Sequence, residues 1–285
     1  MTDIWADWIR TRRTGGDAEY EAELLVKLAR VRDRVLDNAG VAPTDRMLDV
    51  GCGNGLIGFG ALERGAQEVV FADISKPLLD DCAALAEASG LSSRCRFVEA
   101  SATDLGPITG ESVDVVTTRS VLIYVEDKDR AFREFHRVLR PGGRISLFEP
   151  INRFGKEERR LTWGYELDGA RELMRKVTEL YDRIQPNDDP MLDFDERDLL
   201  AHADRAGFFP ITLDYRAEIE PPEARNWETF LHMSGNPKIP TLAEAMDEAL
   251  TPEERERLVA VLRPAVEAGR GVLRMGHAYL WAVKP

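Results

Sequence analysis

The chain has 285 residues, 44% of them hydrophobic and 31% charged, and a formal net charge of −13. That length supports one large domain or a domain with sizeable insertions. The negative charge argues against a nucleic-acid partner, whose phosphates would be repelled, and the lack of any run of 18 apolar residues argues against a membrane span. The first residues, Met1 to Trp5, show no basic segment leading into an apolar core, so no secretory signal is expected. Cys52, Cys82 and Cys95 lack metal-ligand spacing and fit a reduced, cytoplasmic protein that holds no metal.

In chain order, Trp5 and Trp8 fall on one face of a short helix, and the basic, glycine-bearing stretch from Arg10 to Gly16 reads as a hinge. Apolar residues at three- and four-residue spacing predict a helix over 18–38, stopped near Gly40. From residue 46 strands and helices alternate. Strands are predicted at 47–50, 68–72, 96–98, 113–118 and 144–148, with helices near 56–64, 77–89 and 127–140. The run Leu139-Arg140-Pro141-Gly142-Gly143 reads as a helix stop and a turn. Beyond Pro150 the alternation breaks into a charged helical stretch at 155–185, a crossover helix at 194–207 and a sixth strand at 211–215. Helices near 223–233, 241–249 and 252–267 follow, and a last strand at 278–283. Such alternation implies an α/β, Rossmann-like, mostly parallel sheet of seven strands, with an antiparallel last strand and a helical cap.

The stretch Leu48-Asp49-Val50-Gly51-Cys52-Gly53-Asn54-Gly55 carries the chemistry. Glycine brings no Cβ, so the backbone can approach a ligand closely. An acid at the end of the preceding strand suits a ligand with positive charge, and S-adenosylmethionine, with its sulfonium and ammonium groups, is such a ligand. The same residues spell a literal G-x-G-x-x-G from Gly53 to Gly58, which keeps an NAD-dependent oxidoreductase open. Against it, a pyrophosphate seated at the following helix would be repelled by Asp49.

Residues 46–150 resemble the core of the class I S-adenosylmethionine-dependent methyltransferases, in particular the small-molecule branch that includes the ubiquinone and menaquinone methylases. The run from Leu48 to Gly55 is similar to that family's first motif. The resemblance implies that Asp73 accepts the two ribose hydroxyls, with Ile74 beside it, and that Ser101 and Ala102 lie along the adenine edge. It further implies that Asp49, Gly51, Gly53, Asn54, Gly55 and Arg119 surround the cofactor and that an N-terminal segment with Tyr20 closes over it. Serine stands at 101 where the family often has aspartate.

Ligands of open parallel sheets bind at the carboxyl ends of the strands. That rule places Arg119, Ser120, Leu122, Tyr124, Glu149, Asn152 and Arg153 on the substrate rim. Tyr124, Glu149 and His232 are the candidates for catalysis; His232 stands among Trp227, Phe230 and Met233, where aromatics could line a pocket around one base. His136, His202 and His277 read as structural.

The expected organisation is a lid at 1–40, the cofactor-binding core at 41–150, continued at 194–220 and closed by a last strand at 271–285, with cap insertions at 151–193 and 221–270. The expected activity is methylation of a small organic molecule on oxygen, nitrogen or carbon, in specialised metabolism. A non-catalytic S-adenosylmethionine-binding regulator and a homodimer built on the cap remain the competing uses of these features.

Overall fold

A computed structural model of the protein describes residues 3–156 and 163–285. The helical stretch expected at 155–185 therefore falls partly outside the described residues. The chain divides into two compact units, a sheet unit of Leu25–Ile151, Phe194–Tyr215 and His277–Pro285, and a helical unit of Met1–Leu24, Asn152–Asp193 and Arg216–Gly276.

The sheet unit is built on seven strands: β1 (Arg46–Val50), β2 (Glu68–Asp73), β3 (Cys95–Glu99), β4 (Val113–Arg119), β5 (Leu139–Pro150), β6 (Ile211–Glu220) and β7 (Leu273–Val283). Their order is β3-β2-β1-β4-β5-β7-β6. The first five run parallel, and β7 lies antiparallel to β5, with Leu147 opposite Leu280. The order reverses between β1 and β4, which opens a crevice at the carboxyl ends of these strands.

Helices α2 (Ala18–Ala39), α3 (Leu56–Glu63), α4 (Lys76–Ala88), α5 (Lys128–Val138) and α7 (Glu196–Arg205) accompany the sheet, and the C-terminal part of α2 buries Val35, Leu36 and Ala39. On this side Phe71 of β2 packs its ring 4.9 Å from Phe59 and 5.3 Å from Phe97. β1 is buried on both faces from Met47 to Val50, as a central parallel strand must be.

One element differs from its expected form. The Pro141-Gly142-Gly143 stretch is a bulge inside β5: Leu139 already pairs with Val113, and the register shifts before Arg144 meets Val115. Gly142 sits at φ +78° and gives its N–H to the Lys284 carbonyl at 2.8 Å. The extra residues are thus accommodated within the ladder instead of ending it.

The helical unit contains α1 (Ile4–Asp7), a π-helical turn (Trp8–Arg12), α6 (Arg171–Ile184), α8 (Trp227–His232), α9 (Leu242–Ala249) and α10 (Pro252–Glu267). Its core gathers Met174 and Val177 of α6, Trp227 of α8, Met246 of α9, and Leu258 and Leu262 of α10. Local chemistry sets the helix starts. Thr241 and Thr251 form reciprocal capping boxes with Glu244 and Glu254, and Asn226 caps α8 through Glu228 and Thr229.

The N-terminal segment is stitched into this unit. Trp8 Nε1 donates to the Ser234 carbonyl at 2.8 Å, and Arg12 grips both oxygens of Glu244 at 3.2 and 2.7 Å. A Cβ on Gly15 would lie 2.9 Å from the Thr229 carbonyl oxygen. Within the stretch expected to act as a hinge, the glycine at 15 allows close packing on α8.

Candidate active site

The site of the sheet unit begins with Asp49, the fourth residue of β1. Its carboxylate turns inward, accepting from the Gly58 N–H at 3.0 Å and from Thr117 Oγ1 of β4 at 3.1 Å. Burial raises its pKa to about 7 against the pull of Gly58, Thr117 and the Arg119 charge. Gly58 lies in the first turn of α3, where a dinucleotide fold would offer free N–H groups to a pyrophosphate. Here an acid of the chain itself already occupies that donor.

Gly51, Gly53 and Gly55 take φ of +63°, +55° and +79°, which side-chain-bearing residues rarely adopt. Two of them also make room for the protein's own side chains. A Cβ on Gly51 would lie 2.4 Å from Val121 Cγ2, and one on Gly55 would lie 2.6 Å from the Phe59 ring. Gly58, in the turn that follows, would meet Phe71 at 2.3 Å. The sequence suggested that these glycines clear space for a ligand; at Gly51 and Gly55 they clear space for Val121 and Phe59. Asn54 between them is half-buried.

At the end of β2, Asp73 is 7% exposed and ties the glycine loop to the next helix. One carboxylate oxygen accepts from the Gly53 N–H at 2.8 Å and the other from the Ser75 N–H at 2.9 Å. Ile74 beside it is 52% exposed, an apolar side chain offered at the mouth of the crevice. The Cys52 and Cys82 thiols both approach the Gly53 carbonyl, at 3.9 and 3.4 Å. The Cys82 thiol beside it, together with burial, pushes the Cys52 thiol well up, so it stays protonated. Farther along the crevice Ser101 folds onto its own loop, its hydroxyl 3.0 Å from that of Thr103, while Ala102 is buried.

Across the crevice, β4 ends in Arg119, and Ser120 follows at φ +56°. The next residues are held by Glu149 of β5, which is fully buried. Its Oε1 accepts from Val121 and Leu122 N–H, both at 3.0 Å, and its Oε2 from Ile123 N–H at 3.3 Å. Burial raises the Glu149 pKa to about 7, opposed by those backbone donors and the charge of Lys128. Glu149 is one of the candidates for catalysis, and its geometry favours a supporting role. Its oxygens face three backbone N–H groups, so it shapes the turn that carries Tyr124, itself half-buried at the end of that turn.

His232, another of the candidates, belongs to the helical unit. α8 buries Trp227, Thr229, Phe230 and Leu231, but the His232 side chain is 56% exposed and pairs with Glu228 at 3.7 Å. It lies on the polar face of an amphipathic helix of the helical unit. Tyr20 also belongs to the helical unit, with its N–H on Asp17 Oδ1 at 3.0 Å. The sheet unit thus brings together Asp49, Gly51, Gly53, Asn54, Gly55, Asp73, Ile74, Ser101, Ala102, Arg119, Tyr124 and Glu149.

Two members of the site carry no sequence signal. Thr117 looks like any β-branched strand residue until its hydroxyl is found on Asp49. Lys128 stands at a helix start, where lysine is ordinarily solvated. It is instead 3% exposed, with Nζ on the Val125 carbonyl at 2.9 Å and over the Phe194 ring at 4.7 Å.

Comparison with known proteins agrees with this geometry. Residues 48–147 match the family described as "Methyltransferase domain". Over that stretch the chain is similar to methyltransferases. Over 116 residues it is 34% identical to the ubiquinone/menaquinone biosynthesis C-methyltransferase UbiE of Vibrio parahaemolyticus, covering 40% of this chain and 44% of that one. Over 115 residues it is 36% identical to the tRNA 5-carboxymethoxyuridine methyltransferase of Escherichia coli, covering 40% of this chain and 43% of that one. The chain thus spans less than half the length of the curated relatives it matches.

The crystal structure of geranyl diphosphate C-methyltransferase from Streptomyces coelicolor, in complex with S-adenosyl-L-homocysteine, shares the fold with a TM-score of 0.53 at 16% identity. That likeness covers 90% of this chain and 76% of that one. S-adenosyl-L-homocysteine, a ligand of that structure, is what S-adenosylmethionine becomes on giving up its methyl group. The residues present fit S-adenosylmethionine: two buried acids frame the glycine loop, and one N–H of the first turn of α3, that of Gly58, is taken by Asp49.

Proposed function

We propose that the protein transfers a methyl group from S-adenosylmethionine to a small organic acceptor, on oxygen, nitrogen or carbon, in specialised metabolism. The observation that carries this reading is the buried Asp49, whose carboxyl takes the Gly58 N–H of the first turn of α3 and ionises more readily beside a cation, whereas a pyrophosphate would find that donor taken. Asp73 would receive the ribose hydroxyls, with Ile74 against one side of the adenine and Ser101 and Ala102 along its edge. Arg119 would lie near the methionine part.

S-adenosylmethionine supplies an electrophilic methyl group, so the work left to the protein is alignment of the acceptor and exclusion of water. Glu149 serves that end by fixing the backbone of Val121–Ile123 and so the position of Tyr124. Tyr124, at the rim, would orient the nucleophile by its hydroxyl. With Glu149 enclosed and His232 at the surface, the reading needs no dedicated base and suits an acceptor that reacts without prior loss of a proton.

A small acceptor is favoured over RNA, although one relative acts on tRNA, because the chain carries a net charge of −13. Among the described residues no helix is long and apolar enough to cross a membrane, and a cytoplasmic enzyme is the location proposed. The helical unit is the part proposed to choose the acceptor. The test is to incubate the protein with isotopically labelled S-adenosylmethionine and, separately, a small-molecule extract or total RNA. Label recovered in a small molecule supports the reading. Label recovered in RNA alone overturns the acceptor class, and S-adenosylmethionine binding without any transfer overturns the activity.

A further inference from the structure

The helical unit holds a second group of charged and aromatic side chains that the donor site does not use. Arg13 follows the π-helical turn, with its guanidinium carbon 5.9 Å from the centre of the Trp8 ring. Its Nε is buried without a hydrogen-bond partner, one of two such side-chain nitrogens among the described residues; the other is Asn38 Nδ2. Burial pushes the Arg13 guanidinium below its usual value, against the nearby Glu21 and Tyr20.

Arg225 comes to the same tyrosine from the segment before α8. Its guanidinium carbon lies 4.5 Å over the Tyr20 ring, its backbone N–H is fixed on the Val266 carbonyl at 3.1 Å, and its charge also bears on Tyr165. Glu223, at 3.4 Å, is its acidic neighbour, and that carboxylate side chain is 54% exposed and screened by water. The Tyr165 hydroxyl is occupied with the Glu223 carbonyl at 2.8 Å.

Arg13 and Arg225 stand on segments that meet at Met233, where a Cβ on Gly15 would lie 3.1 Å from the Met233 nitrogen and Arg225 Nη1 lies 3.9 Å from its sulfur, in a chain whose net charge is −13. The chain partners arginine fully where it needs to: Arg12, the adjacent residue, holds both oxygens of Glu244. Arg13 is left with a buried donor unmet, a costly state unless a ligand meets it. A guanidinium presents a planar fork of donors that fits the paired oxygens of a carboxylate or phosphate. The ring surfaces of Trp8 and Tyr20, and Met233, 3.9 Å from Arg225 through its sulfur, give the surroundings an apolar character.

We infer that Arg13, beside Trp8, and Arg225, over Tyr20, form a binding site for the carboxylate or phosphate of an anionic methyl acceptor with an apolar body. That the anion is an acceptor rests on the methyltransferase reading; that the site binds an anion does not. All tryptophans except Trp281 lie in the helical unit, so intrinsic fluorescence reports on it.

The test titrates the full chain with octanoate, octyl phosphate and neutral octanol, followed by tryptophan fluorescence and calorimetry. S-adenosylmethionine affinity is measured in parallel. At least one anion is expected to bind tenfold or more tighter than octanol, and the preference is expected to weaken with salt. It should be lost in Arg13→Gln and in Arg225→Gln and kept in part by Arg13→Lys, with S-adenosylmethionine affinity held within twofold. Anions binding no tighter than octanol to the unmodified protein would overturn the inference without any variant having to fold. So would an Arg13→Gln protein that keeps its anion preference, or one that loses S-adenosylmethionine instead, which would assign the arginine to the donor's own carboxylate. Loss of S-adenosylmethionine binding in the unmodified protein, with anion binding intact, would sink the methyltransferase reading and leave this site standing.

Discussion

Asp49 and Glu149 are both buried, both raised to about 7, and both placed where their oxygens order backbone of the site. For Asp49, a cationic ligand nearby favours the ionised form, so binding of S-adenosylmethionine near neutral pH should release protons. Affinity should rise as pH increases through about 7 and then level off. Calorimetry in buffers of different ionisation enthalpy measures this release, and Asp49→Asn should bind more weakly with a flat pH profile. For Glu149 the native pKa lies above the ordinary value of an unfolded glutamate, so the native state keeps a proton that the unfolded chain has shed. Stability from this group is present below the unfolded pKa and lost as pH rises through about 7. The thermal midpoint should fall from about pH 5 to about pH 8, and fall less in Glu149→Gln; an equal slope in the variant would refute the assignment. The chemistry of these acids was only partly legible in sequence. Position marked Asp49 and Glu149 as strand-end residues of a parallel sheet, but partners that absorb them, Thr117 and the Val121–Ile123 backbone, belong to other elements far along the chain.

At the scale of elements, the loop between β1 and α3 is a packing problem solved by glycine. Gly51→Ala should destabilise the protein by about 1–3 kcal/mol, from a left-handed backbone carrying a Cβ and from the collision with Val121. Adding Val121→Ala should recover the collision part and leave the backbone part, which thermal denaturation of the two variants would separate. The central strands β1, β2 and β4 were plain in the sequence because each is a short run rich in apolar and β-branched residues, as at Met47–Val50. The start of β5 was not. Pro141-Gly142-Gly143 has the composition of a turn, and only the pairing of Leu139 with Val113 turns it into a bulge. α8 was equally ambiguous: an aromatic-rich stretch with one histidine reads alike as a pocket wall or an amphipathic helix, and the burial of Trp227, Phe230 and Leu231 with His232 outside decides for the helix.

At the scale of the whole molecule, the sheet unit and the helical unit each have their own core. The N-terminal segment belongs to the second of them through Trp8, Arg12 and Gly15. Removing residues 1–16 should therefore lower the thermal midpoint as well as turnover, whereas a truncated protein of unchanged midpoint would show that the segment is dispensable to folding. The motif was legible because a cofactor loop is local in sequence, while the helical unit assembles from three separate stretches and offers no contiguous pattern to read.

The central claim is that the loop framed by Asp49 and Asp73 receives S-adenosylmethionine, and calorimetry of the full chain against S-adenosylmethionine and NAD tests it most directly. The expected result is saturable binding of S-adenosylmethionine, none of NAD, and a loss of about 1–3 kcal/mol in Asp73→Ala, the cost of leaving buried donors unpaired. Heat from NAD with none from S-adenosylmethionine, or an Asp73→Ala protein of unchanged affinity, would contradict it.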